Sequence, residues 1–382
     1  MSNSPASVAP PPESPDAIAA AVAVPSRPRP GATSAPSAPW GRYKSRPSDF
    51  VVTERPLYEP QGEGDHLWLW VRAEDIAHSK MVDRIASLVG VPSGLVRAAG
   101  MKDRLGITKQ WLSIPTGASV EPGPLDGQLS IEKVSRHGNG LKLGQLVGNR
   151  FDIVVRDVQD DAGTSAAVTS VQTSIDALTN RFTNHFGPQR FGRGGSTLRT
   201  GFRLLAGEKR RMSKTQRRLA VNAVQSLAFN AVVRQRLMLG LVGAVVEGDV
   251  VGFPDRGSVF VATEPDREQL RLDAGETVLT GPMPGAKAKR PEAAAAALES
   301  EALASVGLAP DALDAFRSIA PGTRRPLTVS PTWHEVAECE SAVVPDGGAS
   351  GRSLRLAFSL PAGSYATSVL DQLGFAAAEL DD

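Results

Sequence analysis

Apolar and polar positions divide the chain into short strands and helices. The stretch Asp49–Glu54 (DFVVTE) predicts a short strand, and the apolar run His66–Arg72 (HLWLWVR) predicts a strand covered on both faces. Met81, Val82, Ile85, Ala86 and Leu88 recur at helical spacing, so Ser79–Leu88 predicts a helix that Gly90 and Pro92 close. Leu129–Val134 and Leu141–Leu143 predict a hairpin joined through the Asn139-Gly140 turn. Asn149-Arg150-Phe151 then opens a strand to Val158, and Val168, Val171, Ile175, Leu178 and Phe182 mark an amphipathic helix. Ser213 and Gln216 form a capping box for a long helix that Gly240 ends. Strands return at Asp249–Phe253 and Ser258–Ala262, and Glu292–Val306 is Ala- and Glu-rich and predicts a helix. Trp333–Cys339 and Ser353–Leu360 alternate as strands around a Gly-rich turn, Pro345–Gly351. The stretch Leu360–Leu373 (LPAGSYATSVLDQL) predicts a turn and a short helix, and Glu379–Asp382 an acidic frayed end.

One segment breaks this pattern with chemistry. In Gly100–Trp111 (GMKDRLGITKQW), Asp103 sits between Lys102 and Arg104, and Gly100 and Gly106 bracket all three. Strand-like residues on either side make this a tight charged turn between two strands. A carboxylate between two cations stays ionised and can act as a nucleophile or base. A plain solvated charge cluster has the same spacing. Asn149 and Phe151, two apart in a strand, share a face. They suit reading a planar base by its edge and its ring, and equally suit a strand-start turn beside a core ring. Tyr58 lies on the loop Leu57–Gly64 and Tyr365 on a turn, where each ring is a ligand contact or a packing lid.

Composition narrows the choices. The 382 residues suffice for two domains, and 41% are hydrophobic and 22% charged. A single cysteine, Cys339, excludes a disulfide framework and a thiolate metal cage. The five histidines lack metal-site spacing, so no metal is expected. No run of 18 apolar residues exists, so no membrane span is expected. Residues 1–39 hold ten Pro, ten Ala and no aromatic, which predicts a disordered tail. Its short apolar piece follows Glu13 and Asp16 rather than a basic start, which predicts a cytoplasmic protein rather than a secreted one.

Charge is uneven. From Arg181 to Arg218 there are eleven Lys or Arg and one acid, Glu208, in a chain of net charge +1. That excess is the footprint of a polyanion, and Phe186, Arg190 and Phe191 interleave ring and cation as a base-stacking surface would. The Gly-Arg-Gly-Gly turn lacks the Lys-Ser/Thr ending of a nucleotide-binding loop, which excludes that reading. Lys214, Arg217 and Arg218 oppose the dipole of the helix they begin, which assigns them to binding rather than stability.

The stretches DFVVTERPLYEPQGEGDHLWL, AGMKDRLGITKQW, GNRF, NHFGPQRFGRGGS and LPAGSYATSV resemble the signature blocks of the TruD family of tRNA pseudouridine synthases, in the family's order, from about residue 47 to residue 370. The resemblance implies an α+β fold: a pseudouridine-synthase-type mixed, largely antiparallel sheet flanked by helices and interrupted by an inserted α/β TRUD domain. The disordered tail would cover 1–39, the catalytic domain 40–183 and 326–382, and the insertion 184–325, basic and RNA-contacting. It further implies isomerisation of uridine 13 of tRNA, with Asp103 catalytic, Tyr58, Asn149, Phe151 and Tyr365 on the uridine, and no cofactor or metal. The expected partner is tRNA in its D-arm region, bound by a monomer. Lys102, Arg104, Arg190, Arg193, Arg210, Arg211, Lys214 and Arg218 are the expected RNA contacts; Lys102 and Arg104 would hold Asp103 ionised or touch the RNA backbone. Two other readings stay open: a synthase acting on messenger or ribosomal RNA, and a non-catalytic RNA-binding protein of the same fold. The Pro/Ala tail and the Ala-rich Glu292–Val306 segment depart from the family pattern and leave room for them.

Overall fold

The alternating segments pair into one long sheet. A computed structural model describes residues 11–24, 41–158, 164–179, 181–254, 256–339 and 353–378. The turn Pro345–Gly351, the end Glu379–Asp382 and most of the tail lie outside the described residues. The chain forms two units. A sheet unit takes Arg27–Asn180, Ser330–Ala366 and Leu370–Asp382; a basic unit takes Met1–Ser26, Arg181–Val329 and Thr367–Val369.

In the sheet unit an 11-stranded sheet runs in the order Thr332–Cys339, Ser353–Pro361, Leu146–Arg156, Phe50–Pro56, Ile107–Pro115, His66–Glu74, Leu129–His137, Gly123–Pro124, with Arg42–Tyr43, Arg97–Ala98 and Ala376–Ala377 attached off that path. Two pairings are parallel, Phe50–Pro56 with Ile107–Pro115 and Arg42–Tyr43 with Ala376–Ala377; the rest are antiparallel. This is the mixed, largely antiparallel sheet that the resemblance implies.

Alternation sorts the side chains between two faces. Leu67, Leu69, Val71, Leu112 and Ile114 pack on one face with Met81, Ile85 and Ala86 of the helix His78–Val89. Trp68, Trp111 and Leu141 pack on the other. The run His66–Glu74 is thus covered on both faces, as its continuous hydrophobicity predicts. Each such buried side chain contributes about 1.5–3 kcal/mol of transfer free energy.

Three expectations are corrected. Leu141–Leu143 forms no strand: the Leu141 N–H donates to Ser113 Oγ at 2.7 Å, and Leu129–His137 pairs with His66–Glu74 instead. The strand expected to open at Asn149 begins at Leu146, so Asn149 lies inside it. The tail expected to be disordered contains an α-helix, Pro15–Val22, in the basic unit. Ser14 caps it by accepting from the Ala17 N–H, and Pro15 opens it. The Asn230 amide donates to Val22 O at 3.0 Å, and Arg234 donates to Ala21 O at 2.8 Å, satisfying carbonyls a helix end leaves open. Ile18 lies against Gly195, where a Cβ would come within 2.5 Å of it.

In the basic unit, the four-stranded antiparallel sheet Arg256–Val261, Val250–Phe253, Val278–Met283, Thr323–Pro326 carries the long helix Lys214–Met238, buried along most of its length. The capping box of Ser213 and Gln216 is present. Its interior charges are paired: Arg236 with Asp249, and Arg324 with Glu299 at 2.5 Å.

Candidate active site

The charged turn is tied down on all sides. It leaves Arg97–Ala98 and enters Ile107–Pro115, which pair antiparallel. At its far end Gly106 has φ +116°, and a Cβ there would lie 2.4 Å from Phe50 O, so only glycine fits. The Gly106 N–H donates to Asp75 Oδ1 at 2.8 Å, and the Asp75 N–H returns a bond to Gly106 O at 3.0 Å. At its near end the Gly144 N–H donates to Ala99 O at 2.7 Å.

Lys102 turns inward. Its Nζ meets Glu54 Oε2 at 2.8 Å, with the two side chains 6% and 0% exposed. The other Glu54 oxygen accepts from the Trp111 N–H at 3.4 Å. The expectation that Lys102 contacts RNA is therefore corrected. A flexible four-carbon stem let the ammonium reach a buried carboxylate, and the pair clamps the residue before Asp103. Asp103 itself is exposed, as is Arg104.

Asp103 acts on two buried neighbours that sequence reasoning missed. Burial pushes the Lys44 ammonium below its usual range, and the carboxylates of Asp103 and then Asp75 push back. Burial, then Asp371 and Asp103, hold the Tyr43 phenol well above its usual range. Lys44 has a left-handed backbone (φ 63°), and its Nζ lies 4.2 Å from the Phe50 ring centroid. Burial, and then the charge of Lys102, lower the His78 imidazole.

The sheet register arranges the next residues in rows. Asn149 stands opposite Glu54 on one side and Leu360 on the other; Phe151 stands opposite Val52 and Phe358. Phe151 stacks on Phe358 at 5.5 Å and meets Phe50 edge-on at 6.3 Å. The Asn149 Oδ1 is buried without a hydrogen-bond partner among the described residues. An acceptor left so costs about 1–3 kcal/mol, a cost that a ligand donor would relieve. Past Leu360, the Ala362 N–H donates to Val147 O at 3.1 Å, and the turn leads to half-buried Tyr365 at the edge of the helix Ala366–Gln372. Gly148 admits this approach, since a Cβ there would lie 2.0 Å from Leu360 O.

Tyr58 is not part of this group. Its ring packs against His137 at 5.2 Å and Trp68 at 5.8 Å, and its hydroxyl donates to Gln145 Oε1. Strand register puts Trp68 with Ser113 and Phe151 with Val52 and thence Thr108, one odd and one even position of the same strand. Tyr58 therefore packs on the opposite sheet face from Phe151, and the expectation for it is corrected. Phe50 holds the position beside Phe151. The alternation of Phe50, Val52 and Glu54 carried that signal, together with a carboxylate on an apolar face; nothing local pointed to Lys44.

The basic unit presents Arg210, Arg211, Lys214 and Arg218 to solvent. Arg210 and Arg211 line a concavity of about 530 Å³ with Leu204, Lys209 and Arg217. Arg193 is exposed. Arg190 is half-buried, donating to Ser226 Oγ at 3.0 Å and lying 5.2 Å from the Phe186 ring centroid. Phe186 and Phe191 are core residues, and Phe186 meets Phe229 edge-on at 5.6 Å. Arg325 covers the Phe186 ring at 4.3 Å.

The family description "tRNA pseudouridine synthase D (TruD)" matches residues 33–215 and 208–373. The chain belongs to the TruD family. It is 34% identical over 336 residues to the tRNA pseudouridine synthase D of Thermus thermophilus, covering 87% of this chain and 88% of that one. It is 35% identical over 350 residues to its namesake in an Anaeromyxobacter species, covering 90% and 95%. A crystal structure of a Methanosarcina mazei protein assigned as a TruD superposes with TM-score 0.68 at 21% identity, covering 88% of this chain and 94% of that one, and shares the fold. The TruD match begins at residue 33, so the helix Pro15–Val22 lies outside it. Among the described residues no group of three His, Cys, Asp or Glu could hold a metal, and no helix is long and apolar enough to cross a membrane.

Proposed function

We propose that this chain isomerises uridine 13 of cytoplasmic tRNA to pseudouridine, binding the RNA around its D-arm as a monomer, with Asp103 as the nucleophile. The observation that carries this reading is the exposed Asp103 carboxylate, fixed by a turn anchored at Ala99, Glu54 and Asp75. The relatives named above, each described as a tRNA pseudouridine synthase D, supply the substrate class.

The base must leave the ribose, turn, and re-bond through carbon. Extruding it from the RNA stack costs a few kcal/mol, and stacking on aromatic rings returns about 1–3 kcal/mol per base. Phe50, Phe151 and Tyr365 are the rings assigned to that role. The orphaned Asn149 Oδ1 suits the imide N–H of a uracil edge. Asp103 then attacks the uracil ring or the anomeric carbon, or assists glycal formation. Lys44, over the Phe50 ring, is the buried cation that feels the Asp103 charge.

The test is tritium release from carbon 5 of labelled uridine in a tRNA transcript, followed by mapping of the product. Pseudouridine at position 13 alone supports the reading. Product in messenger or ribosomal RNA but not in tRNA replaces the target, and no release from any RNA overturns the enzyme assignment.

A further inference from the structure

Four large apolar side chains of the sheet unit stand in water beside the catalytic turn. Leu57 is 58% exposed, Met101 75%, Leu143 78% and Val147 45%. They are far apart in sequence, yet each lies at or within two residues of one hydrogen-bonded knot. In it the Gly144 N–H donates to Ala99 O at 2.7 Å, the Tyr58 hydroxyl donates to Gln145 Oε1 at 3.2 Å, and the Ala362 N–H donates to Val147 O at 3.1 Å. Pro56 pairs with Leu146, and a Cβ at Gly100 would lie 3.8 Å from the Leu146 side chain. The knot therefore brings the four segments that carry these side chains to the base of the turn that carries Asp103.

Each also has an exposed cation within three residues: Arg55, Arg104, Lys142 and Arg150. None of these four has a hydrogen-bond or ion-pair partner for its side chain among the described residues. The acids in the same short stretches are Asp103, Glu59 and Glu54, the last of which is buried against Lys102. Apolar side chains that interleave with unpaired cations next to a nucleophile match neither a core nor a solvated face. They match a surface for nucleic acid whose bases have been pulled apart, where apolar wedges fill the gap between base steps.

We propose that Leu57, Met101, Leu143 and Val147 form an apolar wedge that fills the gap left by the extruded uridine and stacks on the nucleotides flanking it, with Arg55, Lys142 and Arg150 on the adjoining phosphates. The proposal rests on the reading of the chain as a tRNA pseudouridine synthase. The wedge supplies contact that exists only once the base has left the stack, so its loss costs most where the stack is intact.

The experiment compares wild type with Leu57→Ser/Leu143→Ser on two substrates: folded tRNA, and the same tRNA with abasic sites on both sides of the target. On folded tRNA kcat/KM falls by about tenfold, and on the abasic-flanked substrate it stays within about twofold. The binding-induced fluorescence rise of 2-aminopurine placed next to the target is also smaller in the variant. Equal losses on both substrates, or no loss on either, overturn the wedge while leaving the enzyme assignment intact. A wild-type protein that forms no pseudouridine overturns the assignment and the wedge with it. Leu143→Ser alone, at a side chain 78% exposed, repeats the comparison should the double variant fold poorly.

Discussion

The Lys-Asp-Arg turn of the sheet unit and the basic run of the other unit use the same side chains in opposite ways. At the turn, Lys102 is spent inside the protein: its ammonium is sealed against Glu54 and holds a backbone in place. In the run, Arg210, Arg211, Lys214 and Arg218 stay in water, where exposed charge contributes little to stability. Their arrangement even opposes the dipole of the helix Lys214–Met238. A cation's task follows from where its partner lies: a buried carboxylate makes it a strut, and without one among the described residues it stays in water.

The sharpest way to break this contrast starts with Asp103, the residue beside that strut. Asp103→Asn abolishes tritium release while tRNA affinity in filter binding stays within about a few-fold. Loss of affinity in parallel would make Asp103 structural. Glu54→Gln leaves the Lys102 charge buried and uncompensated, and urea unfolding then shows a loss of about 3–5 kcal/mol. An unchanged unfolding midpoint would show that the pair holds nothing. Replacing Arg210, Arg211, Lys214 and Arg218 together by Ala leaves that midpoint nearly unmoved. It weakens tRNA binding and flattens its salt dependence by about 0.7 in log–log slope per lost phosphate contact. An unchanged slope would mean this face looks away from RNA. Tyr58→Phe has the smallest effect: it deletes one hydrogen bond to Gln145, worth about 0.5–1.5 kcal/mol, and leaves KM for tRNA as it was.

Much of this was legible in the chain itself. Alternation marks the strands around Phe50 and Ser353, and the bracketing glycines mark the turn at Asp103. Gly106 in particular sits where a close backbone approach demands it. What was not legible depends on distant partners. Glu54 lies 48 residues from Lys102, and no local pattern says that the two meet. Tyr58 and Phe50 are both rings near the start of the same block, and only strand register separates their faces. Asn139-Gly140 looks like a hairpin turn, but Asn139 O accepts from Trp68 Nε1 at 3.0 Å and the chain after it runs off the sheet. The helix Pro15–Val22 shows Ser14 and Pro15 as start signals. An eight-residue helix is marginal alone, and the donors that complete it come from more than 200 residues away.

That short helix bears on how the protein is handled at the bench. Trimming the chain to the family boundary, a routine step for crystallisation or expression, would withdraw buried Ile18 from Gly195 and leave the Asn230 amide with one fewer acceptor. A shortened protein that melts early or precipitates would be reporting a missing piece of its own fold rather than a defect in the enzyme.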